Sequence, residues 1–232
     1  MTIKKAMILA AGFGKRMLPL TKKTPKPLIK IGPKNLLERT IELLIKLGID
    51  DLVINTHYLS KEIDIFLKSK NYDISISTIQ ENQLLDTGGG ILNATKKFEN
   101  NPFFVLNPDT IWNKNYYEEL KILENSYLVN NKPVLLLVDK NISHDKSFKG
   151  DFNFIKNNYI TRETNNQYIF TGAQIINRSI FKGVEEKVFS MNLVWNQMIV
   201  EKNLLGQESN QTFFHVNNLK IYEELNNLKF ID

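Results

Sequence analysis

Residues 9–28 read Leu9-Ala-Ala-Gly-Phe-Gly-Lys-Arg-Met-Leu-Pro-Leu-Thr-Lys-Lys-Thr-Pro-Lys-Pro-Leu28. This segment follows directly on Ala6-Met7-Ile8-Leu9-Ala10, a short apolar run typical of a buried strand. A glycine-rich loop after such a strand indicates an α/β fold in which the loop receives an anion. The dinucleotide-binding fingerprint does not fit, because methionine stands at position 17 where a third glycine is needed, and the P-loop pattern is absent. The segment therefore predicts a different kind of phosphate loop.

The loop contains residue types that are suited to phosphate. Gly12 and Gly14 allow backbone N–H groups to approach a polyphosphate closely. Arg16 is a planar cation with several donors, and two flanking prolines restrict the backbone around Lys26, a second cation. The Gly-x-Gly pair alone is equally typical of an ordinary turn between a strand and a helix with solvated cations nearby. The rest of the chain must decide between these interpretations.

Apolar runs and amphipathic segments alternate through the first half of the chain. Strands are predicted at 6–10, 52–54, 74–79, 103–106 and 134–138, and helices at 35–47, 60–68, 89–98 and 114–130. Ser60 is a plausible N-cap and Gly48 a plausible C-cap. This spacing calls for right-handed parallel crossovers, so we predict an α/β fold with a doubly wound, mostly parallel sheet. Ligands of such sheets bind at the carboxyl ends of the strands.

The rhythm changes after about residue 140. Short antiparallel strands are predicted at 151–154 and 168–176 around a turn at Asn157-Asn158, followed by a helix at 191–202, a strand at 213–216 and a helix at 220–228. We interpret this half as a smaller antiparallel lid over the strand ends, where a second substrate could bind.

Composition excludes several classes of protein. The 232 residues include no cysteine, so disulfides, thiolate metal sites and cysteine nucleophiles are ruled out. The net charge is +5, but no dense basic run or aromatic-basic module points to nucleic acid or to a membrane surface. The apolar run near the N-terminus is too short for a secretion signal, and no run approaches the length of a membrane span. A cytoplasmic location is therefore expected.

The pattern Leu-Ala-Ala-Gly-x-Gly-x-Arg-Met-x-Pro-Leu-Thr, followed by Pro-Lys-Pro-Leu, resembles the signature of sugar-phosphate nucleotidyltransferases. The segment Leu85-Asp86-Thr87-Gly88-Gly89-Gly90 is similar to the glycine-rich turn that meets the nucleotide in this family. Asn107-Pro108-Asp109 lies where the family carries its magnesium-binding aspartate, although relatives often have glycine in place of Pro108. The layout is most similar to single-domain enzymes of the N-acetylmuramate-1-phosphate uridylyltransferase type.

The resemblance implies transfer of a nucleotidyl group from a nucleoside triphosphate to a sugar 1-phosphate, with release of pyrophosphate. UTP and N-acetylmuramate 1-phosphate are the candidate substrates, which implies NDP-sugar biosynthesis for the cell wall. Catalysis would rest on positioning and charge neutralisation, with Arg16 on the β- and γ-phosphates, Lys26 nearer the α-phosphate and Asp109 as the anchor of Mg²⁺. Nucleotide contacts are expected from Ala10, Ala11, Gly12, Gly14, Lys15, Arg16, Gln80, Thr87 and Gly88, with Glu81 beside Gln80 at the base.

By the same resemblance, residues 1–232 are expected to form one domain, with a nucleotide-binding half of about 1–140 and a sugar-binding half of about 141–232. A Thr-Gly pair at 171–172 inside an apolar strand indicates either close approach of a ligand or a β-bulge. The expected partners are the two substrates, without nucleic acid or membrane, and the expected state is a monomer or weak homodimer. Sugar contacts are expected from Asn107, Gly150, Asp151, Glu163, Thr171, Gly172 and Asn192.

The second metal position departs from the family pattern. Relatives usually carry an aspartate in a Trp-x-Asp-x-Gly-Thr context, whereas this chain reads Phe213-Phe214-His215-Val216-Asn217-Asn218. Imidazole nitrogen is a poor ligand for Mg²⁺, which prefers oxygen. Three interpretations stay open: His215 ligates a softer ion such as Mn²⁺, it contacts a phosphate or a metal-bound water, or it is a packed histidine in a weakened enzyme.

Two further functions are compatible with the same phosphate loop. A mannose-1-phosphate guanylyltransferase or a phosphocholine cytidylyltransferase would differ only in the base and acceptor pockets. A regulatory protein that binds nucleotide without turnover is the alternative from another class, and only His215 supports it.

Overall fold

The computed structural model describes residues 2–228, and within them the backbone forms eleven strands. In chain order these are β1 (Lys5–Leu9), β2 (Lys30–Ile31), β3 (Lys34–Asn35), β4 (Asp51–Thr56), β5 (Ser75–Gln80), β6 (Phe103–Leu106), β7 (Val134–Asp139), β8 (Asn153–Phe154), β9 (Ile160–Thr161), β10 (Tyr168–Ile176) and β11 (Leu205–Ser209).

Six α-helices lie between or after these strands in the described residues. They are α1 (Leu36–Leu47), α2 (Ser60–Lys68), α3 (Asp86–Ala94), α4 (Tyr116–Asn130), α5 (Met191–Val200) and α6 (Leu219–Asn226). Short 3₁₀ turns occupy Lys15–Met17, Leu20–Lys22, Lys26–Leu28, Lys96–Phe98, Lys140–Ile142, Lys156–Asn158 and Arg178–Phe181. None of the helices in residues 2–228 is long and apolar enough to cross a membrane.

Seven strands form the central sheet in the order β11-β7-β10-β6-β1-β4-β5. β1 pairs in parallel with β4 and with β6, whereas β10 runs antiparallel to both of its neighbours. Ile8 of β1 is in register with Leu106 of β6, so the two strands end side by side. This brings the loop after Leu9 close to the segment that begins at Asn107. The predicted α/β class is confirmed, as are the smaller antiparallel elements: β2 pairs with β3, and β8 with β9.

Helices cover both faces of the sheet, which explains why the strands are apolar on both sides. Successive side chains of a strand point to opposite faces, and β1 shows this directly. Ala6 and Ile8 pack in the core cluster shared with α1 and α4, while Met7 packs in the cluster shared with α3 and α5. All three side chains are fully buried. A rigid double-sided core therefore holds the strand ends in place.

The second half of the chain differs from the sequence-based expectation in its strand pairing. Tyr168–Ile176 was expected in the lid, but β10 lies inside the central sheet between β6 and β7. Its alternating apolar pattern suits a strand of a lid and a strand of the central sheet equally well. Because its pairing partners are distant in the sequence, the local pattern does not indicate which strands it pairs with. The expected strand at 213–216 forms only isolated bridges, Thr110 with His215 and Ser143 with Phe213. The edge strand β11 was not expected, because its sequence LGQES is mostly polar.

The start of one helix and the N-cap of another also differ from the prediction. Helix α3 begins at Asp86 rather than at Gly89 and ends at Ala94, with a separate 3₁₀ turn at 96–98. Ser60 is the first residue of α2 and makes no capping hydrogen bond, since Leu59 occupies the cap in a left-handed conformation. The predicted C-cap at Gly48 is confirmed, with φ of 88°.

Candidate active site

A cleft of about 240 Å³ opens at the carboxyl ends of β1 and β6. The glycine loop forms one wall, and the Asn107–Asp109 segment with the start of α3 forms the other. A larger hollow of about 380 Å³ lies against α1, but none of the predicted site residues line it. The lining residues of the cleft are Leu9, Ala11, Gly12, Lys26, Pro27, Leu36, Asn55, Leu84, Asp86, Thr87, Asn107, Pro108 and Asp109.

The two glycines of the loop differ in the space beside them: Gly14 is crowded by neighbouring side chains, whereas Gly12 faces open space. Gly14 has φ of 63°, and a Cβ there would lie 2.8 Å from Cγ2 of Thr21, whose hydroxyl donates to the Gly14 carbonyl oxygen at 2.9 Å. A Cβ at Gly12 would meet no atom within 4 Å. Arg16 and Lys15 are exposed, and within residues 2–228 the Arg16 side chain makes no hydrogen bond or ion pair. The loop therefore presents open backbone and an unengaged cation.

Lys26 and Asp109 meet inside the cleft. The Lys26 ammonium lies 2.5 Å from Oδ2 of Asp109, while Oδ1 is buried without a hydrogen-bond partner among the described residues. Burial alone would raise the pKa of the Asp109 carboxyl. The charge of His215, which is protonated at the low pH where Asp109 titrates, the charge of Lys26 and the hydrogen bond from Lys26 outweigh it and lower the pKa from 3.8 to about 2. Asp109 is therefore an anion with one oxygen unused.

His215 lies near the same carboxylate oxygen as Lys26. Its Nε2 is 3.6 Å from Oδ2 of Asp109, and its ring stacks on Phe213. Nδ1 lies 3.4 Å from Oγ1 of Thr110, which donates its own proton to the Thr171 carbonyl oxygen at 2.5 Å. This arrangement favours a proton on Nδ1 and a lone pair on Nε2.

The charge state of His215 follows from its surroundings. Burial lowers its pKa below the usual 6.5; Asp109 opposes this shift, while Lys26 and Arg16 add to it. The imidazole is therefore neutral at neutral pH. Within residues 2–228, no group of three or more His, Asp or Glu side chains could hold a metal ion, and the metal roles of Asp109 and His215 stay predictions.

Asn55 is a residue that sequence reasoning missed. Its Oδ1 accepts from the Ala10 backbone N–H at 2.9 Å, and its Nδ2 donates to Oε1 of Glu81 at 2.7 Å. The other carboxylate oxygen of Glu81 accepts from the Leu85 N–H. Glu81 is thus buried and connects Asn55, which binds the glycine loop, to the start of α3, and its predicted contact with the base stays a prediction. The signal available in the sequence was a polar residue, Asn55, directly after the apolar run 52–54. Gln80 is exposed and does not line the cleft, so its role stays a prediction.

The glycines that open α3 are used for packing. A Cβ at Gly88 would lie 2.3 Å from the Phe189 ring, and one at Gly89 would lie 2.3 Å from the Lys187 carbonyl oxygen. A Cβ at Gly90 would meet Asn55 and Glu81 at 2.8 and 2.9 Å. Close approach of segment 187–189 therefore explains Gly88 without a ligand, and its predicted nucleotide contact stays a prediction. Thr87 does line the cleft, and its hydroxyl accepts from the Met191 N–H at 2.9 Å.

We expect Gly88→Ala to destabilise the fold, by about 1–3 kcal/mol, because the new methyl overlaps a buried ring. Gly12→Ala is the matched control, since its methyl enters open space and should change the free energy of unfolding by less than about 0.5 kcal/mol. Urea unfolding of both variants measures the difference. Equal stabilities would mean that segment 187–189 moves aside freely.

The predicted sugar residues fall into two groups. Gly172 has φ of 95° and packs on Asn107, which lines the cleft, whereas the Thr171 hydroxyl donates to the Leu136 carbonyl oxygen within a β-bulge of β10. A Cβ at Gly150 would lie 2.3 Å from the Asn166 carbonyl oxygen. Of the seven predicted sugar residues, Asn107 alone belongs to the cleft lining in the described part of the chain. Asp151 accepts from the Phe170 N–H, Glu163 is exposed, and Asn192 accepts from Arg162.

Comparison with known proteins connects this geometry to a family. A sequence model described as nucleotidyl transferase matches residues 5–167. An N-acetylmuramate alpha-1-phosphate uridylyltransferase of Neisseria meningitidis serogroup B is 32% identical over 185 residues, 78% of each chain. One of Caulobacter vibrioides is 37% identical over 114 residues, and the match spans about half of that relative, 47% of each chain.

A solved structure of UDP-glucose pyrophosphorylase complexed with UDP-glucose shares the fold, with a TM-score of 0.79 at 18% identity over 97% of each chain. The long family match and the Neisseria relative confirm the resemblance that the glycine loop predicted. The chain belongs to the nucleotidyl transferase family, as a sugar-phosphate nucleotidyltransferase.

Proposed function

We propose that this protein transfers the uridylyl group of UTP to N-acetylmuramate 1-phosphate, releasing pyrophosphate. Two relatives that bear this activity in their names support the choice of substrates. The observation that carries the proposal is the Lys26–Asp109 pair in the cleft, with one carboxylate oxygen buried and unused beside an open glycine loop.

The reaction is an exchange of one phosphate linkage for another. A phosphate oxygen of the sugar 1-phosphate attacks the α-phosphorus, the bond between the α-phosphorus and the bridging oxygen breaks, and pyrophosphate leaves with the electron pair. No covalent intermediate with the protein is needed. The protein must hold two anions in line and offset their repulsion, which positioned cations and backbone N–H groups do.

The chain can supply these groups from the glycine loop and from the Lys26–Asp109 pair. Arg16 is exposed and unengaged within the described residues, so its guanidinium can take the departing pyrophosphate. The backbone at Gly12 is open to a phosphate. Lys26 donates a hydrogen bond to Asp109 inside the cleft, and its ammonium group would supply a positive charge near the α-phosphate.

Asp109 and His215 fit a divalent cation in part. A hard, ionised oxygen with no other partner suits Mg²⁺, while the imidazole lone pair facing the same carboxylate suits Mn²⁺ better. Since few protein ligands converge here, most of the coordination would come from substrate phosphates and water. Such a cation would neutralise charge on the phosphates and help to orient them.

We expect His215→Asp to shift the metal preference toward Mg²⁺. The ratio of kcat/KM with Mn²⁺ to that with Mg²⁺ should fall by about tenfold or more, because an oxygen ligand replaces a nitrogen. His144→Asn is the matched control, since that histidine contacts Glu224 outside the cleft. An unchanged ratio in His215→Asp would contradict direct ligation and favour contact with a phosphate or a bound water.

The proposed function is tested with a matrix of substrates. The four nucleoside triphosphates are combined with N-acetylmuramate, N-acetylglucosamine and mannose 1-phosphates and with phosphocholine, and pyrophosphate release is measured. We expect UTP with N-acetylmuramate 1-phosphate to give the highest kcat/KM. Highest activity with GTP and mannose 1-phosphate, or with CTP and phosphocholine, would replace the proposed substrates. Nucleotide binding without turnover for any pair would contradict the reaction itself.

We also infer that the protein acts as one catalytic domain, with the nucleotide on the side of residues 1–140 and the sugar on the side of 141–232. The two halves share the central sheet, since β10 lies between β6 and β7. A cytoplasmic location follows from the need for a nucleoside triphosphate, and a monomer or weak homodimer is the expected state. Sedimentation of the purified protein measures that state.

A further inference from the structure

Arg162 carries a positive charge that no carboxylate balances at close range. Its Nη1 donates to Oδ1 of Asn196 at 2.8 Å, and its Nη2 donates to Oδ1 of Asn192 at 2.7 Å. Both acceptors are neutral amides, and within residues 2–228 no acidic side chain lies within ion-pair distance of this guanidinium. Since guanidinium has five N–H donors, several remain for a ligand.

Aromatic rings hold this cation in one place. Cζ of Arg162 lies 4.5 Å from the centre of the Phe152 ring and 5.6 Å from that of Trp195. Burial lowers the pKa of Arg162 and Asp151 partly opposes the shift, yet arginine keeps its charge at neutral pH. Asp151 itself accepts from the Phe170 N–H at 2.9 Å. The guanidinium is therefore partly desolvated and fixed before any ligand arrives, which strengthens its attraction for an anion.

Two short chains of contacts join Arg162 to the cleft. Asn192, which accepts from Arg162, follows Met191, whose N–H donates to the cleft residue Thr87. On the other side, Trp195 packs on Phe170 with ring centres 4.9 Å apart. Two residues farther along the same strand, Gly172 packs against the cleft residue Asn107. Arg162 is therefore linked, through these intermediate residues, to two members of the cleft lining, Thr87 and Asn107.

We propose that Arg162 recognises a carboxylate carried by the sugar ring of the acceptor. This inference rests on the proposed function. N-acetylmuramate differs from N-acetylglucosamine only by a lactyl ether, which ends in a carboxylate. The planar guanidinium can bind such a group with two parallel hydrogen bonds, a geometry that lysine cannot supply. Arg162 is then a specificity-determining residue that favours acidic sugar phosphates over neutral ones.

The decisive measurement is a ratio, kcat/KM for N-acetylmuramate 1-phosphate over kcat/KM for N-acetylglucosamine 1-phosphate, each with UTP. Arg162→Gln should lower this ratio by roughly 10- to 100-fold, the value of a hydrogen-bonded charge contact. Arg162→Lys should restore only part of it. Lys156→Gln is the control for loss of a charge, because this exposed lysine lies at the β8–β9 turn outside the cleft, and it should leave the ratio unchanged.

A substrate-side test covers the case in which the Arg162 variants do not fold. The wild-type enzyme should use the lactamide of N-acetylmuramate 1-phosphate, in which an amide replaces the carboxylate, at least about tenfold less well than the acid. Equal use of acid and amide, or parallel losses for both sugars in Arg162→Gln, would overturn the proposal while leaving the reaction intact. A wild-type enzyme that accepts neither sugar contradicts the proposed function, and this inference falls with it.

Discussion

Asp109→Asn is expected to lower kcat/KM by roughly 10³-fold, equivalent to about 4 kcal/mol of transition-state stabilisation. The substitution keeps the shape of the side chain but removes the charge that would hold a divalent cation among the phosphates. Oδ1 of Asp109 is buried without a hydrogen-bond partner among the described residues, so no contact within them requires that oxygen. Pyrophosphate release at saturating Mg²⁺ is the measurement.

The control for this prediction is Asp139→Asn. Asp139 also ends a strand of the central sheet at the same edge, but its carboxylate accepts from Asn141 and Gln167 and does not line the cleft. Its loss should leave kcat/KM within about twofold of wild type. The thermal midpoint of Asp109→Asn should stay close to that of wild type, because the isosteric amide still fills the site and Lys26 can reach solvent. Near-normal turnover in Asp109→Asn would place the metal elsewhere.

The position of Asp109 could be predicted from the sequence for a simple geometric reason. Parallel strands end at the same edge of a sheet, so a glycine loop after one strand and a carboxylate after another are brought together by pairing alone. The register of Ile8 with Leu106 shows this convergence directly. Lys26 reaches the same edge because the proline-flanked turn folds back from the loop, and its ion pair with Asp109 follows from that path.

The lid could not be predicted in the same way. Apolar and polar side chains alternate along residues 168–176, as they do in a hairpin strand. The local sequence does not distinguish a strand of a separate hairpin from an antiparallel strand of the central sheet. The strand pairs with β6, more than sixty residues earlier in the chain, and only the packing of the whole core selects that partner. The polar edge strand β11 was missed because β7 pairs with its backbone, which every sequence can offer.

The supporting residues of the site were the least visible from the sequence. The buried Asn55 and Glu81 look like ordinary polar residues at strand ends, and their role appears only when the two strands lie side by side. Gly88 illustrates an ambiguity that the sequence leaves open. A glycine in a family motif invites a ligand contact, whereas the structure places the Phe189 ring where its side chain would be. Packing and ligand approach both require a missing side chain, so the sequence alone cannot separate them.

Arg16→Ala is expected to lower kcat by about 10²-fold or more while leaving the fold unchanged. The side chain is exposed and has no hydrogen bond or ion pair within residues 2–228, so its removal disturbs no packing. Its charge nevertheless reaches into the cleft, because it lowers the pKa of the buried His215 imidazole. A cation in this position stabilises charge that grows on the departing pyrophosphate, and such a contact is stronger in the transition state than in the bound substrate.

Further substitutions in the same loop isolate this effect. Arg16→Lys keeps the charge but loses the paired donors, so it should recover only part of kcat. Lys23→Ala removes another exposed cation of the same loop, one that is not among the charges acting on His215, and should change kcat by less than about twofold. Single-turnover measurements separate the chemical step from substrate binding. If Arg16→Ala raised KM and left kcat unchanged, Arg16 would bind the triphosphate equally well in the ground state and in the transition state. The cation that stabilises the leaving pyrophosphate would then have to be Lys26.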